Sequence, residues 1–426
     1  MSVIDNVSKI SFATRRGPGT VLYSPFQNTN YYNIRNVDMK SYDSTYGTNG
    51  YSLECYFENC ENLVSVTNLS SNPNSNSVSM RNTFRGCRSL TSISNIPSNV
   101  TNMNLTFYTC TSLTTVPTIP NSVTSMNNTF SFCTSLVNAP TLPNNITSLE
   151  STFAYCTSLV NAPTIPSNVS SMPVTFAGCT SLVNPPVIPS SVRAMHETFY
   201  GCTSLVNPPV INASNVDGQL AFSNCTSLTS LPDLSKFSNL KQTFDRCTSL
   251  TTIDLSDVAI DILDYTFENC SNLTTILNFS SNIKYINGAF ANCTSLVNPP
   301  VIPNTIRSIE HTFEGCTSLI STPVIPNTIS SLYYTFKGCT SLTTVTDIPT
   351  SISSLGSAFE GCTSLTGNII IRSSNVTNVN NIFNYTNAPK YVYIPYNSTT
   401  YNTFIAAGYD EIGTKEGVYL RDISTL

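Results

Sequence analysis

Phe176-Ala-Gly-Cys-Thr-Ser-Leu182 returns 23 residues later as Phe199-Tyr-Gly-Cys-Thr-Ser-Leu205, and the same phrase punctuates most of the chain. It begins in diverged form at Phe57–Leu63, recurs from Phe84 and runs to Phe359–Leu365, with one 22-residue step from Cys225 to Cys247. A last copy, Phe383 to Thr386, has lost the cysteine. A fixed period between about 20 and 50 residues marks one supersecondary unit that buries its apolar face only against neighbouring copies. The pattern predicts a solenoid. Such a stack grows in one dimension, so 426 residues need not divide into the two or three domains that length alone suggests.

Within one period the expected inward positions are Leu159, Ala162, Ile165, Val169, Met172, Phe176 and Cys179. Down the stack they form ladders, among them Phe107, Phe130, Phe153, Phe176 and Phe199, and Cys110, Cys133, Cys156, Cys179 and Cys202. A strand spacing near 4.8 Å puts successive thiols within disulfide reach. Pairing alternate rungs would break the repeat symmetry, however, and cysteine is readily buried as a thiol. A reduced core ladder is therefore expected. No repeat adds a second Cys or a His at ligand spacing, so no metal and no other cofactor is predicted.

Two short segments read as extended, one after each Ser-Leu pair and one over Val-x-x-Met, because both are rich in β-branched residues and too short for helices. The Ile-Pro step between them removes a backbone donor and ends the first strand at a corner. Gly or Asn precedes the cysteine in ten of fourteen copies, which predicts a positive φ there. Thr or Ala precedes the Phe of the repeated phrase in every copy from Phe84 to Phe359, which predicts a tight site.

Leu113-x-x-Val-Pro-x-Ile-Pro-x-Ser-Val-x-Ser-Met-x-x-Thr-Phe-x-x-Cys-Thr-Ser-Leu136 resembles the cysteine-containing leucine-rich repeats of the BspA-like class. Ser98-Asn-Val-Thr-Asn-Met103 and Ser374-Asn-Val-Thr-Asn-Val379 resemble a related repeat of mycoplasma and Gram-positive surface proteins. The likeness spans Phe57 to Thr386. It implies a β-rich leucine-rich-repeat solenoid of about 14 repeats, with short parallel strands and little helix. It also implies an adhesin, a surface binding protein or a phage structural protein rather than an enzyme, and it carries over no catalytic residue.

Residues 1–55 do not repeat and are expected to cap the first rung or to attach the chain to a larger assembly; they include the turn Arg15–Gly19 and a Tyr- and Asn-rich stretch from Asn28 to Tyr51. Residues 56–386 form the solenoid and 387–426 a C-terminal cap. In that cap we expect a strand over Tyr391–Pro395 and a short helix within Ser398–Tyr409, capped by Ser398 or Thr399. A closing strand, Val418–Leu420, is expected to follow the turn at Gly417.

No phosphate loop, catalytic carboxylate pair or nucleophile elbow is present. The only histidines, His196 and His311, lie five repeats apart and cannot share a site. Asp254, Asp257, Asp261 and Asp264 do not match the EF-hand spacing and read as solvated acids. The residues flanking Phe change from copy to copy. Tyr108, Phe132, Tyr155, His196, Tyr200, His311, Tyr333 and Tyr334 are thus candidate binding residues, to be weighed against the reading of unconstrained edge positions. A second candidate is the first-strand surface of Val137, Asn138, Val160, Asn161, Val183 and Asn184, suited to glycans or a protein.

Charged residues make up 10% of the chain against roughly 25% in an average protein, and the net charge is −5, which excludes a basic nucleic-acid surface. The first residues show no signal peptide, and no apolar run reaches the roughly 18 residues of a membrane span. These features favour a non-enzymatic structural or receptor-binding protein of a virus particle, a phage tail or head decoration. It would meet a protein or glycan on a host surface and other virion proteins through residues 1–55, without nucleic acid and without membrane insertion. The alternatives are a bacterial surface adhesin and an intracellular protein-interaction scaffold.

Overall fold

The structure, a computed structural model, describes residues 35–38, 53–69, 77–387, 389 and 391–426. The expected Arg15–Gly19 turn and most of the Tyr/Asn-rich segment lie outside these. The chain divides into two compact units, Met1–Val216 and Asp217–Leu426.

Each rung of the first unit uses the Phe-x-x-Cys side to bind its neighbour. The N–H groups of Asn82, Phe84 and Gly86 donate to the carbonyls of Asn104, Thr106 and Tyr108 in the next rung (3.1, 2.9 and 2.8 Å). The intervening N–H groups close tight turns within the rung, from Thr83 to Met80 and from Cys87 to Phe84, both at 3.0 Å. Two residues per rung take positive φ, here Asn82 (56°) and Gly86 (75°). The position before Cys is left-handed as the Gly/Asn bias predicts, and Thr109, Phe132, Tyr155 and Arg246 adopt it too. The second left-handed position, two residues before Phe, was not legible because Leu105, Val174 and Glu197 occupy it as readily as Asn.

The strand sides are sparser than the sequence suggests. In the first unit β1 (Asn36–Asp38), β2 (Ser65–Thr67) and β4 (Ser92–Ile93) pair in parallel in that order, and β3 (Val78–Ser79) pairs with β5 (Val100–Asn102). Further on, the same sides are held by single bridging residues, Asn138 to Asn161 to Asn184 and Ser148 to Ser171 to Ala194. Prolines explain the thinning: Pro140, Pro143, Pro163, Pro166, Pro186 and Pro189 supply no N–H to a ladder. A two-residue strand, β6 (Val216–Asp217), sits at the boundary of the units.

The second unit contains β7 (Phe237–Asn239), the parallel pair β8 (Thr252–Asp254) and β9 (Thr275–Leu277), and a terminal parallel sheet. That sheet orders β10 (Ile369–Ile370), β11 (Tyr391–Ile394) and β12 (Tyr419–Asp422). The helix α1 (Thr399–Ala406) forms where its start signal predicts, with Ser398 Oγ accepting from the Tyr401 N–H at 3.1 Å. The 22-residue rung accommodates its shortening with a 3₁₀ turn, Leu234–Lys236, capped by Asp233.

The core follows the ladders. Phe57, Phe84, Phe107, Phe130, Phe153, Phe176 and Phe199 stack face to face in the first unit, with centroids 5.3–5.7 Å apart and planes within 4–14°. Phe222 to Phe383 stack likewise in the second unit, at 5.4–6.2 Å with planes within 4–26°. All fifteen cysteines stand as thiols. Their role is specific: Cys179 Sγ donates to the Phe153 carbonyl of the preceding rung (3.1 Å), and Cys110, Cys133, Cys156 and Cys202 repeat the bond at 3.0–3.2 Å. Where Thr precedes the repeat Phe, it does more than fit a tight space. Thr106 Oγ1 lies 2.9 Å from the Met80 carbonyl and 2.6 Å from that of Met103, sharing its hydrogen between two rungs.

One expected core position is wrong. Ala162 is half-exposed, its N–H donating to the Asn184 carbonyl, while Pro163 is buried in its place. Proline has no N–H to orphan, so it faces the core at lower cost than a residue with a donor.

Candidate functional site

The left-handed turns project the variable residues outward, and side chains from successive rungs meet there. In the second unit three rungs contribute one cluster. His311 and Tyr334 occupy the same slot in consecutive rungs, at φ 58° and 56°. Their rings stack at 4.8 Å with planes 7° apart, and Tyr333 closes edge-on against both, at 5.8 Å from His311 and 4.3 Å from Tyr334. Lys337 Nζ lies 4.5 Å over the Tyr334 ring and 3.6 Å from Glu360, while His311 Nδ1 meets Glu314 Oε2 at 2.7 Å. A hydrogen bond with the Tyr334 side chain holds the Tyr333 phenol above its ordinary pKa.

A second cluster lies in the first unit. Glu58 pairs with Arg85 at 3.0 Å, and Arg85 lies 5.6 Å over Tyr108. Tyr108 meets Phe132 edge-on at 5.5 Å, and Phe132 stacks on Tyr155 at 4.8 Å. The structure thus assembles six of the eight sequence candidates into two groups, Tyr108/Phe132/Tyr155 and His311/Tyr333/Tyr334. His196 and Tyr200 join neither.

The first-strand surface is real but uneven. Asn184 Nδ2 donates to Asn161 Oδ1 at 2.7 Å, and Val137 and Val183 are exposed while Val160 is half-buried. Sequence reasoning missed the aliphatic columns beyond it. Val187 and Val210 stand outward in the first unit, and Val301 and Val324 in the second are 88% and 76% exposed. The signal was the alternation in Pro186-Val-Ile188, which sends the middle residue to solvent between two buried neighbours.

Of the four aspartates of the irregular repeat, three have separate partners. Asp254 accepts from the Ser256 N–H and Asn278, Asp264 from the Asn287 N–H, and Asp261 lies 3.9 Å from Lys284. Among the described residues no three His, Cys, Asp or Glu side chains are grouped to hold a metal. Burial pushes the Cys156 thiol up to about 12, and Cys133 and Cys179 rise for the same reason, which suppresses their nucleophilicity at neutral pH. No described helix is long and apolar enough to cross a membrane. What these surfaces can do is stack and hydrogen-bond.

Comparison with known proteins agrees with this architecture. None of the curated proteins matches the chain. The chain is similar to a leucine-rich repeat protein from Bacteroides ovatus, at 21% identity over 91% of this chain and 92% of that one, with a TM-score of 0.53. It is also similar to a leucine rich cell surface protein from Faecalibacterium prausnitzii, at 24% identity over 79% and 87% of the two chains, with a TM-score of 0.46. The profile of the BspA type leucine-rich repeat region matches residues 54–183, 172–297 and 287–407. With the repeat, the stacked core and that match in agreement, the chain belongs to the BspA type leucine-rich repeat family.

Proposed function

We propose that this chain is a non-enzymatic binding protein displayed at a bacterial cell surface, and that the His311/Tyr333/Tyr334/Lys337 cluster is its principal contact surface. The observation that carries the reading is the stacking of His311 from one rung on Tyr334 from the next, with Lys337 over the Tyr334 ring. Aromatic rings fixed on a rigid frame lose little entropy on binding and serve as interface anchors. The partner is a protein or glycan. Tyr108, Phe132 and Tyr155 would form a second contact region, residues 1–55 a cap or attachment segment, and residues 387–426 the C-terminal cap.

Cell-surface display rests on the family, whose members are typically adhesins and surface binding proteins. Nothing in the comparisons favours the virion reading that the sequence features suggested. Surface labelling of intact producing cells, followed by mass spectrometry, should recover this chain. Recovery only from purified virus particles or from the soluble lysate would overturn the placement. Loss of binding to partner cells on Tyr333→Ala/Tyr334→Ala substitution would support the cluster, and unchanged binding would overturn it.

A further inference from the structure

The solvent side of the terminal sheet carries a chemistry the repeats lack. Alternation along β11 buries Val392 and Ile394 and leaves Tyr391 and Tyr393 part-exposed; in β12 Leu420 is buried between Tyr419 and Arg421. The parallel register sets Tyr391 beside Tyr419 and Tyr393 beside Arg421. Four side chains therefore make a two-by-two block, about 5 Å by 7 Å at ordinary strand spacing and rise. Tyr391 is the corner that touches both other rings, 6.4 Å from Tyr393 and 5.8 Å from Tyr419, with ring planes tilted 59° and 58°.

Arg421 is held across this block. Its Cζ lies 4.9 Å from the Tyr391 centroid and 5.5 Å from that of Tyr419, while Nη1 donates to the Glu411 and Leu420 carbonyls at 3.0 and 2.8 Å. Those two bonds fix the guanidinium. Its other edge, Nε–H with Nη2–H, is the fork that receives a carboxylate bidentately. None of the ion pairs among the described residues uses Arg421. The nearby carboxylates have other partners: Glu411 accepts from the Tyr401 hydroxyl and Asp422 from the Ser424 N–H.

We propose that this block is a subsite for a carboxylate-bearing sugar, with the pyranose ring against Tyr391 and its carboxylate on Arg421. The dimensions suit one sugar ring and fall far short of a protein interface, which needs roughly 800 Å² per partner. A peptide adding as a strand finds the outer edge of β12 taken, since the Leu420 N–H already donates to the Asp410 carbonyl at 2.8 Å and Asp410 pairs with Tyr419. A chain of net charge −5 offers anions no general attraction, so recognition must be local. This subsite is separate from the His311 cluster and stands or falls independently of it.

Calorimetric titration of the full chain with tetragalacturonate, a glucuronate oligosaccharide and sialyllactose tests the assignment, with methyl-esterified tetragalacturonate and hexaglutamate as controls. We expect binding to at least one carboxylated sugar, weakened roughly tenfold or more by esterification, by Arg421→Gln and by Tyr391→Ala, with Arg421→Lys intermediate. The bound sugar should also slow nitration of Tyr391 and Tyr419 in the unaltered chain, a readout that needs no variant to fold. Failure of all three sugars to bind, equal binding by a folded Arg421→Gln chain, unchanged nitration or tighter binding of hexaglutamate would each overturn the proposal.

Discussion

Tyr155 lies over Gly178, the residue in the same slot one rung on: a Cβ built on Gly178 would stand 2.4 Å from Tyr155 Cδ1. Gly178 also has φ +69°. Tyr265 and Gly288 repeat the relationship in the other unit, where the added Cβ would stand 2.3 Å from Cε1 at φ +60°. A large ring in one rung is thus seated by a missing side chain in the next. Gly178→Ala should cost about 1 kcal/mol for the left-handed backbone and a further ~1–3 kcal/mol for displacing the ring. With Tyr155→Ala as background only the first cost remains. Melting of the four chains of this double-mutant cycle measures the difference; strictly additive costs would show that the ring is not seated on Gly178.

The cysteine ladder makes a chemical prediction. Burial pushes Cys156 up to about 12, so at pH 8 about one thiol in 10⁴ is ionised, against about a quarter of a free cysteine. Iodoacetamide should therefore leave the buried thiols of the folded chain untouched and modify all fifteen cysteines in denaturant. Intact-mass measurement reads both states. Fast modification of Cys156 in the folded chain, or a mass lowered by two hydrogens per pair, would count against the thiol ladder.

Phe176 stands fully buried between Phe153 and Phe199, at 5.7 and 5.6 Å. Phe176→Ala should lose about 3–5 kcal/mol. Because each rung contacts only its neighbours, the loss falls on two interfaces at once. Calorimetry should then resolve two transitions where the unaltered unit shows one, whereas Phe176→Leu should shift a single transition. A single transition for Phe176→Ala would mean that coupling reaches well beyond nearest neighbours.

What the sequence could reveal follows from which residues are constrained. Phe176, Cys179 and Leu182 each have one environment repeated along the stack, so identity at those slots reports burial directly. Positive φ before the cysteine was legible at Gly178 and Gly201 because glycine marks it. The matching position at Val174 and Glu197 was not, since inter-rung bonds such as Val174 N–H to the His196 carbonyl (2.9 Å) impose the conformation on whatever residue stands there. Candidate aromatics were visible as variation, but their grouping was not. Tyr108 stands two residues before its cysteine and Phe132 one, so their edge contact depends on ring direction rather than spacing. Arg421 and its tyrosines lie beyond the repeat, where no internal comparison exists.

Tyr334 separates stability from binding. At φ 56° it pays a left-handed penalty that asparagine largely avoids, about 1 kcal/mol, while its ring is stacked only on surface neighbours, His311 and Tyr333, and under Lys337. Those ring contacts are each of about the same size and are partly offset by solvent. Tyr334→Asn should therefore melt close to the unaltered chain, since the two changes nearly cancel. Binding should move differently, because the anchor presented to the partner is gone. If the cluster is merely an unconstrained edge, the variant will retain both its melting temperature and its binding to partner cells. If the cluster is the contact surface, thermal melting and cell binding measured on the same preparation will diverge, with stability held and binding lost.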